Sequence, residues 1–194
     1  MNRIKEKLKN WLIEKSQTKS APFWLGLLSF AESSFFPIPP DFLLIPILLA
    51  KQEKRWCFYS LLTTITSVIG GLFGYLIGFA FFELIGQKLV GLYELQDKVE
   101  YVGTLFKDNA FFAILTAAFT PIPYKVFTIS AGLFKIDLPT FILASIVGRG
   151  GRFFAEGFAL FLFGPRIAQV VYKYFNIFSI IAIVIIGLLI YLVF

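Results

Sequence analysis

The chain has 194 residues, 58% of them hydrophobic and 15% charged, against roughly 45–50% and about 25% in ordinary globular proteins. With 25 Phe and several long apolar runs, this excludes an ordinary soluble domain and points to an integral membrane protein with helical spans. The formal charge of +6 does not indicate nucleic acid, because six of the basic residues fall in the first nineteen positions and no nucleic-acid module accompanies them; the absence of His and the single Cys57 remove His-ligated metals, His-based triads and disulfide frameworks.

Residues 1–20 carry Ile4, Leu8, Trp11 and Leu12 at helical spacing among lysines, the pattern of a basic amphipathic helix in the membrane interface; the alternative is a basic tail. This start has no apolar core followed by small residues, so no cleavable signal is expected. Residues 21–50 are apolar but interrupted at Pro37, Pro39 and Pro40. Each arm makes roughly 15–22 Å of helix, enough to reach the middle of a ~30 Å hydrocarbon core. A kinked span and a re-entrant hairpin both fit, and the charged flanks choose between them. The basic start and the Lys51 to Arg55 run both belong in the cytoplasm, and only a hairpin leaves them there.

Residues 57–82 are a full span with Gly70, Gly74 and Gly78 on one face, a close-packing pattern. Thr63, Thr64, Thr66 and Ser67 either bond back to their own helix or face a cavity. Residues 83–109, with three lysines against five acids, form an external polar connection built of surface helices. Residues 110–134 repeat the opening design around Pro121 and Pro123, which suggests inverted hairpin-plus-span repeats. Residues 138–163 are the next span and carry Arg149, Arg152 and Glu156 at i, i+3 and i+7, one helix face. Residues 174–194 are a plain apolar final span. The expected fold is therefore an all-α polytopic membrane protein, with 21–194 as one transmembrane domain of two inverted re-entrant hairpins, each followed by a transmembrane helix, plus a C-terminal one.

The set Glu32, Pro37-Ile-Pro-Pro-Asp41, the second break Pro121-Ile-Pro-Tyr-Lys125 leading to Ala131-Gly132, and Gly148-Arg149 with Arg152 resembles the DedA (SNARE-associated, VTT-domain) membrane proteins, most closely their YqaA-like branch. The resemblance covers about residues 21 to 165. It implies opposed re-entrant hairpins and the movement of an anionic lipid, undecaprenyl phosphate or a phospholipid, across a bacterial-type inner membrane with the N-terminus cytoplasmic. Glu32 and Asp41 match the family's acidic pair, and Arg149 and Arg152 match its later arginines. Where many members place an Arg on either side of the second proline, this chain has Ala118 and Lys125.

If the two breaks meet in the membrane, helix N-termini, Lys125, Arg149 and Arg152 make a cationic place for a phosphate headgroup. Glu32 and Asp41 are then the expected proton-coupling groups, since carboxylates oppose a phosphate unless protonated or paired. Each has a plainer reading: Asp41 as an N-cap, Glu32 in a static pair with Arg149 or Arg152, Arg152 paired with Glu156 on its own helix, Lys125 snorkelling. The expected function is a flippase or scramblase, not an enzyme, with no cofactor and no metal. Its partners are membrane lipids, protons and a second copy of the chain. The alternatives are a proton-coupled carrier of a small solute and a scaffold that transports nothing.

Overall fold

The computed structural model describes residue 16 and residues 18–52, 55–93, 95–120 and 122–164. The expected final span at 174–194, almost all of the amphipathic start, and Pro121 lie outside the described residues. No strand occurs among the described residues.

The first apolar segment is two helices, α1 (Ala21–Ser34) and α2 (Asp41–Ile47), separated by the proline-rich turn. Three prolines within four positions cannot supply the amides that would carry α1 onward, and Phe35 and Phe36 both close back on the Ala31 carbonyl. Pro46 sits within α2, which runs on into a π-helical turn at Leu48–Gln52. A missing amide there is a physical reason for the wider winding. The second apolar segment is likewise split, into α6 (Ala110–Phe119) and α7 (Tyr124–Leu133).

Between the two segments come α3 (Trp56–Phe81), which continues through a π-helical stretch at Phe82–Gly86, and the polar helices α4 (Gln87–Leu92) and α5 (Gln96–Asp108). The helical run Trp56–Gly86 is long and apolar enough to cross a membrane, and α5 with α6 forms a pair bent by 75°. That bend falls at Asn109, where the polar connection gives way to the apolar segment. The last described helix is α8 (Leu138–Phe163), started by the Asp137 side chain accepting from the Thr140 amide at 2.9 Å.

Packing centres on α3, which contacts α1, α7 and α8, while α8 also packs on α6. The buried face of α3 is polar or small: Ser60, Thr63, Thr64, Ser67, Gly70, Gly71, Gly74 and Gly78. Its outer face is a stripe of exposed Phe58, Leu61, Ile65, Ile69, Phe73 and Leu76 at three- and four-residue spacing. A soluble helix shows the opposite polarity. Small residues inside and bulky apolar ones outside suit a helix whose surroundings are hydrocarbon. The threonines bond back to their own helix, Thr63 to Tyr59 O at 2.7 Å, Thr64 to Ser60 O at 2.7 Å and Thr66 to Leu62 O at 2.8 Å.

Two apolar clusters flank a polar layer. One joins α1 and α2 to Tyr59, Phe153 and Leu160; the other joins α6 and α7 to Tyr75, Phe141 and Ala144. α8 thus passes from the second cluster to the first, and Arg149 lies on the stretch between them.

The glycines set how close the helices lie. A Cβ at Gly70 would collide with the Phe30 carbonyl, one at Gly78 with the Ile129 carbonyl, and one at Gly132 with the Tyr75 carbonyl. These are backbone atoms, which cannot swing aside. Gly91 in α4 faces open space. Gly132→Val is therefore expected to push α7 off α3 and cost about 1–3 kcal/mol, the range of overpacking. Gly91→Ala should be neutral or stabilising by up to about 1 kcal/mol. Thermal unfolding of the purified protein in detergent, comparing the two variants, checks both.

Candidate functional site

The charged face of α8 meets both proline breaks. Arg149 is 2% exposed. Its Nη2 donates to Glu32 Oε2 of α1 at 2.6 Å and its Nε to Ser67 Oγ of α3 at 2.6 Å. Ser33 Oγ lies 2.7 Å from Ser67 Oγ and donates to Glu32 Oε2 at 3.3 Å, so the carboxylate is held by a small network. The guanidinium also stands 4.9 Å from the Tyr124 ring centre and 4.7 Å from that of Phe153. Both are within cation–π range. Tyr124 is fixed in turn by donating to Ser145 Oγ at 2.6 Å.

Arg152, one turn further, engages the breaks themselves. Its Nη2 donates to both oxygens of Asp41, at 2.9 and 3.0 Å, and its Nη1 to the Thr120 carbonyl at 3.0 Å. Asp41 is the first residue of α2, the N-cap position being held by Pro40, and its carboxylate accepts from Arg152 on α8. Thr120 ends α6 in an extended conformation, and its carbonyl is available because the helix stops there. One guanidinium therefore ties the carboxylate that follows the first break to the carbonyl that precedes the second. Two further bonds join the same regions: Lys125 Nζ donates to Phe36 O at 3.0 Å, and Thr128 Oγ1 to Ser33 O at 3.2 Å.

Glu156 completes the face. Its carboxyl is within hydrogen-bonding reach of the Asp41 carboxyl, and its Oε1 is buried with no hydrogen-bond partner among the described residues. No group of three or more Cys, Asp or Glu suited to a metal occurs among the described residues.

The VTT domain model matches residues 38–162, most of the chain, which takes in Asp41, Ser67, Thr120, Arg149, Arg152 and Glu156 but not Glu32 or Ser33. The chain belongs to the VTT-domain (DedA) family. Its relatives include an uncharacterized protein of Haemophilus influenzae, 37% identical over 143 residues, covering 73% of this chain and 72% of that one. An uncharacterized homolog from Histophilus somni is 34% identical over 135 residues, 69% of each chain. An uncharacterized protein of Methanocaldococcus jannaschii is 24% identical over 127 residues, 66% of this chain and 76% of its own. No solved structure matches.

Within this VTT-domain protein, the residues singled out from the sequence fall into two ion pairs, Glu32 with Arg149 and Asp41 with Arg152. Lys125 joins neither; it holds a carbonyl of the first break. Pro37, Pro39, Pro40 and Pro123 lie in the two breaks that these pairs connect. The helical pairing of Arg152 with Glu156 is not what forms: Nη2 goes to both oxygens of Asp41 across the breaks and Nη1 to the Thr120 carbonyl. Sequence spacing put Glu156 on the right face but gave no hint that Asp41 lies opposite. Ser67, Tyr124 and Phe153 were not singled out as parts of a site, since a hydroxyl among helix-bonded threonines and rings among 25 Phe carry no distinguishing pattern.

The Glu32–Arg149 pair is buried enough that losing one partner strands a charge. Arg149→Met is expected to destabilise by roughly 3–5 kcal/mol, and adding Glu32→Leu should restore much of the loss. Thermal or denaturant unfolding of the two single variants and the double variant in one detergent measures the coupling. A double variant no more stable than Arg149→Met would show that the pair is not closed as described.

Proposed function

We propose that this VTT-domain protein is a polytopic membrane transporter that moves an anionic lipid between leaflets, with protons exchanged at its buried carboxylates. Undecaprenyl phosphate and an anionic phospholipid share the phosphate chemistry that an arginine fork recognises. In this reading the two proline breaks are the tips of re-entrant hairpins entering from opposite sides, residues 83–109 lie outside, and the N-terminus faces the cytoplasm of a bacterial-type inner membrane. Transport, and no enzymatic step, is the activity.

One observation carries the proposal: Arg152 bridges the two helix breaks, its Nη2 donating to both oxygens of Asp41 and its Nη1 to the Thr120 carbonyl. Broken helices meeting at a charged point, inside a bundle with an apolar exterior, are a recurring plan in membrane transporters. A phosphate offers a pair of acceptor oxygens, as the Asp41 carboxylate does, and can replace it on Nη2. Arg149, sealed between two rings and an acid, is the fixed support beside it.

The test is movement of fluorescently labelled phosphatidylglycerol in vesicles of phosphatidylcholine and phosphatidylglycerol containing the full chain. Arg152→Gln is expected to lower the rate by about tenfold or more, since a neutral amide keeps little of the phosphate contact. Lys125→Ala should stay within about threefold, as it loses only one exposed bond to a carbonyl. Folded Arg152→Gln protein that moves lipid at the wild-type rate would overturn the proposal in favour of a scaffold. Wild-type protein that moves no lipid but acidifies or alkalises the vesicle lumen with a small solute gradient would favour a solute carrier.

A further inference from the structure

We infer that Asp41 and Glu156 form an acid pair that holds one proton between them, and that this pair, not Glu32, is the proton-binding site that decides whether Arg152 is free to take an anion. The effect on anion binding rests on the transport reading above; the acid pair itself does not.

The two carboxyls come from different elements, Asp41 at the start of α2 and Glu156 on α8, and they lie within hydrogen-bonding reach of each other. Ionised carboxylates only accept hydrogen bonds, so two of them in contact have nothing to offer one another until one carries a proton. Arg152 donates to Asp41 and to the Thr120 carbonyl, and no hydrogen bond runs from it to Glu156 among the described residues. Glu156 Oε1, buried and without a partner among the described residues, is where that deficit shows. A proton on the pair supplies the missing donor.

Charge leads to the same place. The charged groups acting on Glu156 are Asp41 from α2 and Arg149 and Arg152 from its own helix; Glu32 from α1 bears on Arg152. Glu32 and Arg149 neutralise each other. Arg152 then faces two acids, an excess negative charge that a single shared proton removes. A second proton, taken from the aqueous side, neutralises both carboxyls, breaks the charge-assisted bond to Arg152 and leaves one uncompensated positive charge at the junction of the two breaks. Release of that proton restores the Asp41–Arg152 bond and expels a bound anion. Glu32 has no such freedom: its carboxylate is held by Arg149 and Ser33, and no second acid adjoins it in the described contacts.

Infrared spectroscopy of the full chain in lipid nanodiscs, titrated with acid and repeated in heavy water, reads the shared proton directly as a protonated-carboxyl stretching band. The wild type is expected to show one at neutral pH. It should be lost in Glu156→Gln and in Asp41→Asn and kept in Glu32→Gln. Absence of the band from the wild type, or its survival in Glu156→Gln, overturns the inference. Should Glu156→Gln fail to fold, Glu156→Asp keeps a carboxyl one methylene shorter, and an unmoved band in that variant overturns the inference equally. In vesicles, labelled phosphatidylglycerol movement should depend on pH in the wild type and lose that dependence in Glu156→Gln. A wild type with the band but no lipid movement leaves the acid pair standing and removes the transport reading alone.

Discussion

The constraint on which the rest of the structure depends is that a guanidinium cannot sit unpaired among apolar side chains. Two of them lie one turn apart on α8, and each must bring a carboxylate with it. The nearest acids in sequence to α8, Asp137 at its start and Glu156 on its own face, do not serve as the direct partners. The partners come instead from the first apolar segment, more than a hundred positions earlier. That long closure fixes α1 and α2 against α8, and the Arg152 bond to Thr120 fixes the end of α6 at the same point. Four elements are positioned by two side chains.

The proline breaks make this arrangement satisfiable. Within an unbroken helix every interior carbonyl already accepts one amide, whereas carbonyls at a helix end have no such partner. Ending α1 and α6 early releases carbonyls at Phe36 and Thr120, and these are the ones that Lys125 and Arg152 take up. The break and the cation thus answer each other's deficits. The glycine and serine face of α3 has the complementary task of letting α1, α7 and α8 approach closely enough for those bonds to close. Ser34 donates to Gly70 O at 2.9 Å and Ser60 to Phe153 O at 2.9 Å, hydroxyls that work as interhelical bonds where no water is needed.

Much of this was legible in the sequence because its strongest signals are local. Clustered prolines stop a helix, so the interruptions at 35–40 and around Pro123 followed from residue type. The span beginning near residue 57 followed from uninterrupted apolar length, and the helix over 138–163 from its largely apolar length with the charges at helical spacing on one face; the structure has helices at Trp56–Phe81 and Leu138–Phe163. The four charged residues of the two ion pairs were also visible, since an acid or an arginine inside an apolar run is conspicuous. What the sequence could not show is which acid meets which arginine. Spacing describes one helix at a time, whereas the pairs join residues across the packed bundle. The same limit hid Ser67 and Tyr124, whose roles exist only once α3 and α7 lie beside Arg149, and it misdirected Arg152 toward its own helix. Lys125 looked like part of the cationic group by proximity in sequence to the second break, but a flexible chain reaches the first carbonyl offered, at Phe36.

The two arginines, alike in residue type and a single turn apart, end in different physical situations, and the difference bears on what each can do. Arg149 is enclosed: an acid pairs its charge, two hydroxyls take up Nε and Nη2, and two aromatic faces lie against the guanidinium. Freeing it would strand Glu32 and uncover both rings, so it has little to gain from any ligand. Arg152 is held by the acid at the start of a seven-residue helix and by a chain-break carbonyl, both on elements with short reach into the bundle. Its side chain is 16% exposed, against 2% for Arg149. A bond between a partly accessible fork and an acid that has a second acid beside it can be opened by moving charge alone, without dismantling the packing around α3. In α8 the two pairs are set three residues apart, the enclosed one directly beside the more accessible one.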